Sequence, residues 1–337
     1  MSSPAFPARL PVREWRDVDL AILRDEIIPA GTPALLRGMA VRWPAVQADD
    51  PAAYLREFDN GRPQSVIIAP SDIDGRFGYA PDMTRLNFES RSASVSAMLD
   101  RLETAADEVS PPALAAQAIP VETVLPGFSE ANPMPLAPAA VPRIWIGNRV
   151  AVATHNDENS NIAVVMAGRR RFTLFPPDQV GNLYIGPFEF TPAGTPISLA
   201  DPDAPDLARF PRFADALAVA QTVELEPGDA LYIPYMWWHH VRSLDPISIL
   251  VNYWWTETPP PQPGLGPFDA MMHALLAFEG LPREQRDAWS AMFAHFVFHA
   301  DGPPAEHVPA ARRGVQGAIG ADAKTRLRRQ IGQLLSR

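Results

Sequence analysis

The chain has 337 residues, 47% hydrophobic and 20% charged, a balance that allows a large core and leaves little room for wholesale disorder. Its 29 Lys and Arg against 39 Asp and Glu give a net charge of −10, which disfavours nucleic acid, or any phosphate backbone, as a partner. With no Cys in the sequence, disulfides, thiolate nucleophiles, Cys-bound iron–sulfur clusters and Cys-based zinc sites are excluded together, so a metal would sit mainly on His and carboxylates.

The opening MSSPAFPARLPVREW lacks the basic start and apolar run of a signal peptide, and no apolar stretch is long enough to span a bilayer. The expectation is a cytoplasmic protein without a membrane partner. Residues 12–103 mix short helical patterns with brief apolar runs, Pro33-Ala34-Leu35-Leu36 and the strand-like Ser65-Val66-Ile67-Ile68-Ala69. Between 104 and 142 the chain is rich in Ala and Pro, with Pro111-Pro112, Pro120, Pro126, Pro133, Pro135, Pro138 and Pro142. That reads as a long connection, either a lid bordering a cleft or a surface linker.

From 143 to 255 strand signals follow in quick succession: Arg143–Ile146, Ala163–Met166, Arg171–Phe175, Ala230–Ile233 and Ile247–Trp254. Turn residues separate them, notably Ala167-Gly168 and Glu226-Pro227-Gly228-Asp229, and the pattern predicts an antiparallel sandwich or barrel. Asp229 reads as a turn cap. The Pro-rich, acidic stretch 185–215 reads as a loop over one end.

After Pro259-Pro260-Pro261-Gln262-Pro263 the period changes to 3.6. Phe268, Met271, Met272, Leu275 and Leu276 form one helical stripe, Trp289, Met292, Phe293, Phe296 and Val297 a second, and Leu327, Ile331, Leu334 and Leu335 a third. The predicted organisation is therefore a mainly β domain over 1–260 and a helical unit over 261–337, whose apolar faces suit homodimerisation.

His155-Asn156-Asp157 is an H-x-D unit, and on an extended strand its first and third residues project from one face. A facial triad of two His and one carboxylate needs one more imidazole from the same interior and leaves open positions on Fe(II). Trp237-Trp238-His239-His240, just after the run ending at Pro234, supplies it. Neighbours on a strand alternate faces, so only one of His239 and His240 points inward, and parity does not choose between them.

The segment Thr154 to Trp255 resembles the JmjC-type, cupin-like Fe(II)/2-oxoglutarate oxygenases, most closely their asparaginyl-hydroxylase branch and bacterial cupin-like proteins. The resemblance runs through His155-Asn156-Asp157-Glu158, Asn161, Arg171-Phe172-Thr173-Leu174-Phe175-Pro176-Pro177-Asp178-Gln179, Pro227-Gly228-Asp229, Tyr232-Ile233-Pro234, Trp237-Trp238-His239-His240 and Val251-Asn252-Tyr253-Trp254, with Arg37-Gly38 and Trp43-Pro44-Ala45 resembling the family's opening. It implies a double-stranded β-helix of the cupin or jelly-roll type, with His155, Asp157 and His239 as metal ligands and catalytic residues, and His240 outside the ligand set.

It also implies that Arg170 stands where the family pairs a lysine with the distal carboxylate of 2-oxoglutarate, while Arg169 and Arg171 face the other way. Asn161 and Asn252 match asparagines of the cosubstrate pocket, and Trp254 matches an aromatic near the substrate. Trp238, Tyr253 and Trp255 are further candidates for dry walls around the reacting bond. Two departures stand out: Val152 replaces a threonine, and Leu114, or a neighbour in Ala113–Gln117, replaces a tyrosine, both hydroxyl partners of the cosubstrate. The implied activity is hydroxylation of a protein side chain or small metabolite; the alternatives are a cupin metalloenzyme that uses the triad without an oxoacid, and a non-catalytic dimeric binding module.

Overall fold

The computed structural model describes residues 9–256, 266–317 and 320–335. The opening eight residues, the proline run 259–263 and the expected boundary at 260/261 lie outside the described residues. The chain divides into two compact units, Met1–Thr258 and Pro259–Arg337.

In the first unit the described residues form two sheets. The smaller holds β1 (Leu10–Pro11), β5 (Arg76–Phe77), β9 (Ala151–His155), β11 (Arg170–Phe175), β12 (Gln221–Leu225) and β14 (Trp238–Ser243), in the order β1-β12-β11-β14-β9-β5. The larger holds β2 (Arg13–Trp15), β3 (Ala34–Leu36), β4 (Gln64–Ala69), β6 (Glu89–Ala93), β7 (Ala113–Pro120), β8 (Pro142–Gly147), β10 (Ser160–Ala167), β13 (Ala230–Ile233) and β15 (Ser248–Trp255), in the order β2-β3-β13-β10-β15-β8-β7-β4-β6. The consecutive strands β8 to β15 cross back and forth between the sheets in antiparallel pairs. This is the double-stranded β-helix that the resemblance implies, and it meets the antiparallel arrangement that the strand spacing predicts.

Alternation decides what each face buries. On β10, Ile162, Val164 and Met166 join the core on the outer side of the large sheet, while Ala163 and Val165 join the core between the sheets with Phe172, Leu174, Leu231 and Leu250. The outer core is covered by α1 (Val95–Ala106), whose N-terminus is capped by Ser94 Oγ accepting from Ala97 N–H at 3.2 Å and which buries Met98, Leu99 and Leu102. The tight turn before β13 needs Gly228: its φ is +93°, and a Cβ there would lie 2.8 Å from a Val41 methyl. Asp229 closes that turn. Its carboxylate accepts from Glu226 N–H at 3.1 Å, Gly38 N–H at 2.9 Å and Arg37 Nη1 at 2.6 Å, which accounts for Arg37-Gly38 and Pro227-Gly228-Asp229 as one structural device.

One expectation fails. The Pro-rich stretch 104–142 contains β7, a strand inside the large sheet that pairs with β4 and β8. Pro112 and Pro120 flank or end the strand rather than interrupt it, so its ladder loses no interior donor. Among the described residues no helix is long and apolar enough to cross a membrane.

In the second unit, α2 (Pro267–Phe278) and α3 (Arg283–Phe296) bring Phe278 within 5.7 Å of both Trp289 and Phe293, ring centre to ring centre. α4 (Ala321–Leu335) follows; the side chains of Leu334 and Leu335 lie outside the described residues. Met271, Leu275, Leu276, Trp289, Met292 and Phe296 remain exposed.

Candidate metal centre

His155 ends β9 and His239 lies directly opposite it on β14. A bulge breaks the register beyond this pair: Val241 pairs with Val152, so two residues of β9, Ala153 and Thr154, oppose one of β14, His240, and Val152 and His155 both turn inward. Asp157 sits just beyond the strand in the turn to β10, rather than on the strand as the H-x-D spacing had suggested. Its carbonyl accepts from Met236 N–H at 3.1 Å, which ties this turn to the one leading into β14.

One ligand atom from each of His155, Asp157 and His239 lies within 4.8 Å of the others. The His239 Nε2 to Asp157 Oδ2 distance is 3.7 Å, and the imidazole centroids are 4.3 Å apart. Each ring is oriented from behind. His155 Nδ1 lies 2.9 Å from Ala153 O, and His239 Nδ1 lies 3.1 Å from Trp237 O. A carbonyl can only accept, so both Nδ1 atoms carry the proton and both Nε2 lone pairs are left for a cation. Burial, with His155 beside it, holds His239 well below the ordinary histidine pKa and therefore neutral. Two imidazoles and one carboxylate are the donor set that suits Fe(II) with open positions.

The same cavity is lined by Arg170, Asn161 and Asn252. Asn252 Nδ2 donates to Asn161 Oδ1 at 3.2 Å, and Trp145 Nε1 donates to Asn252 Oδ1 at 2.8 Å. Arg170 is only 5% exposed. Its Nε donates to Ser248 Oγ at 2.9 Å and its Nη2 reaches the carbonyls of Trp145 and Ser248 at 3.3 and 3.4 Å. Among the described residues no acid pairs with it, and burial pulls its pKa down to about 9. Arg169 and Arg171, by contrast, point outward to Asp245 and Glu224. A buried guanidinium held only by neutral acceptors is a receptor for an anion.

Three expected wall residues, Trp238, Tyr253 and Trp255, stand away from the cavity. Trp238 faces away from the cavity and packs with Phe175, Phe213 and Leu217, because an inward His239 forces its neighbours outward. Tyr253 and Trp255 likewise face the outer core, and only Trp254 of that run lines the cavity. Leu114 is buried in the outer core; the residues of β7 beside Arg170 are Ala115 and Gln117. Alternation along β7 puts Leu114 and Ala115 on opposite faces; a register shift, with Ala118 at φ +51°, follows between Ala116 and Ile119. Val152 does line the wall near Arg170.

Sequence reasoning did not find Asp201, Asp203 and His240, which meet on the outer side of the small sheet with ligand atoms within 4.8 Å of one another. The acids come from the 185–215 loop, and no local spacing links them to β14. Each is engaged by arginine: Asp201 by Arg76 at 2.9 Å and Asp203 by Arg171 at 3.8 Å.

Known proteins fit this architecture. Residues 20–260 match the cupin-like domain family, and the chain belongs to it, as an enzyme of JmjC type. It is similar to the human bifunctional peptidase and (3S)-lysyl hydroxylase JMJD7, 29% identical over 281 residues that cover 74% of this chain and 84% of that protein. It is also 36% identical over 115 residues to the zebrafish (Danio rerio) HSPB1-associated protein 1 homolog, covering 33% of this chain and 24% of the relative. Lysine-specific demethylase JMJ31 of Arabidopsis thaliana is 34% identical over 112 residues, covering 33% and 20%. The chain thus matches about a quarter or less of the length of these last two relatives.

Proposed function

We propose that this chain is an Fe(II)- and 2-oxoglutarate-dependent hydroxylase of a protein side chain or small metabolite. The observation that carries the reading is the coexistence in one cavity of the two-His, one-carboxylate triad and a buried Arg170 that no acid pairs among the described residues. His155, Asp157 and His239 would hold the iron, which with 2-oxoglutarate and O2 supplies the chemistry that converts a C–H bond to C–OH while releasing succinate and CO2. Arg170 would take the distal carboxylate through its planar fork. Asn161 and Asn252, locked to each other and to Trp145, would orient the cosubstrate's other end. Trp254 would wall the reacting bond from water.

The test is anaerobic loading with Fe(II), then O2 and 2-oxoglutarate, with succinate measured. Succinate that disappears in His155→Ala supports the reading. Iron binding without oxoacid turnover would favour the cupin metalloenzyme that needs no oxoacid, for which Val152 and Ala115 speak, since they place apolar groups near Arg170. The exposed apolar face of α2 and α3 supports a homodimer through the second unit. A monomeric mass by light scattering would refute that.

A further inference from the structure

A second cavity, of about 350 Å³, opens onto His155 and Asp157 from the side of the 185–215 loop. It is at the small end of the range for ligand sites. Its walls are aromatic and aliphatic, with Phe77, Phe88, Trp145 and Trp254 facing Ile67 and Ile197. Its polar groups are neutral: Ser65, Gln117 and Thr195. Among the described residues the only ionisable groups in the lining are His155 and Asp157, which the reading above commits to the metal.

A positive charge backs one of these walls. Arg143 lies over the Trp254 ring, 5.6 Å from its centre, with Nη1 donating to Ala118 O at 2.9 Å. That face of the indole is already occupied by a cation, so it is not free to receive another. Trp145 meets Trp254 edge-on at 89°, and Phe77 meets Phe88 at 81°, so these rings are engaged with each other. One group in the wall waits for a partner: Trp254 Nε1 is buried and donates to nothing among the described residues.

From these walls we infer the substrate class: the cavity accepts an uncharged, apolar side chain next to a hydrogen-bond acceptor such as a backbone carbonyl, and rejects a lysine. An ammonium entering here would lose its hydration, meet no free carboxylate and stand near Arg143. A norleucine, the same chain without the amine, loses nothing and buries its methylenes. Trp254 Nε1 then donates to the neighbouring carbonyl. This inference rests on the metal-holding triad of the reading above, which takes Asp157 out of reach of an ammonium, but its measurement needs no turnover. It separates this chain from the relatives whose names specify lysine.

The experiment compares two capped tripeptides, acetyl-Gly-X-Gly-amide with X norleucine or lysine, binding to the full chain loaded with redox-inert Zn(II), which occupies Asp157. Saturation-transfer NMR titrations give both dissociation constants. Norleucine is expected to bind at least about tenfold more tightly than lysine, since an unpaired buried charge costs more than that. Thr195→Asp, a near-isosteric change in the cavity wall, should shrink the ratio by about tenfold; Ala193→Asp on the same loop does the same job should the first variant fold poorly. Lysine binding as tightly as norleucine, or neither peptide binding, overturns the proposal. Neither turnover nor cosubstrate enters this readout, so its failure is distinct from that of the oxygenase reading, which shows as missing succinate.

Discussion

His239 and His240 are neighbours on one strand, both buried, both pushed to a low pKa by that burial, and each faces two ligand partners at metal-like spacing. Their surroundings differ. The inward group is one acid and two imidazoles whose backbone contacts fix the Nε2 lone pairs forward, with no arginine pairing the acid. The outward group is one imidazole and two acids, each acid in an ion pair with an arginine, and Arg9 and Arg242 add further positive charge near His240. Spacing alone makes the two sites alike; counter-charge makes one a cation receptor and the other a closed polar network.

The largest effect that could break this comparison is on metal loading. His239→Ala should abolish bound iron and turnover, whereas His240→Ala should retain one iron per chain, both read by elemental analysis of the loaded protein. Two irons in the wild type and one in His240→Ala would show that the arginines do not close the outer group.

Arg170→Ala comes next. It should raise the KM for 2-oxoglutarate about a hundredfold, two charge-assisted hydrogen bonds at about 1.5 kcal/mol each, with iron loading unchanged. Trp238→Ala should cost about 3 kcal/mol in chemical unfolding and leave that KM alone, because the ring packs with Phe175, Phe213 and Leu217, away from the cavity. A KM change would return Trp238 to the site. Val152→Thr offers a hydroxyl to the wall beside Arg170 and should tighten the cosubstrate about tenfold.

The smallest effect is on pH. Both histidines have folded-state values near 4, below the unfolded value of about 6.5. Their contribution to the stability of the metal-free protein is therefore complete above about 6.5 and is lost as pH falls toward about 4. Unfolding midpoints measured across that window should fall with pH, and less so in His240→Phe, which has only one such group left.

Much of this was legible in the sequence because it is local. Turn residues at Gly168 and 226–229 marked the strands, and the period change after 263 marked the helical unit. The H-x-D pair and the Trp237–His240 run marked where the site residues lie. What was not legible depends on register. The sequence leaves the position facing the cosubstrate open between Leu114 and its neighbours in Ala113–Gln117, and only the strand's register shows that Ala115 and Gln117 stand beside Arg170 while Leu114 faces the outer core. The prolines of 104–142 concealed a strand because they mark its ends as readily as they would break its middle. Once the resemblance makes His239 the inward residue, alternation sends Trp238 outward with His240. Asp201 and Asp203 meet His240 only through the fold of a long loop, which no spacing records.

The account stands on one ion held by His155, Asp157 and His239 with an oxoacid anchored at Arg170. An anaerobic titration of the ferrous protein with 2-oxoglutarate tests it directly, since an oxoacid chelating iron produces a visible charge-transfer absorption. The band should appear with one iron per chain, vanish in His239→Ala, and need about a hundredfold more 2-oxoglutarate in Arg170→Ala. A band that survives His239→Ala, or iron that binds without ever producing one, would contradict the account.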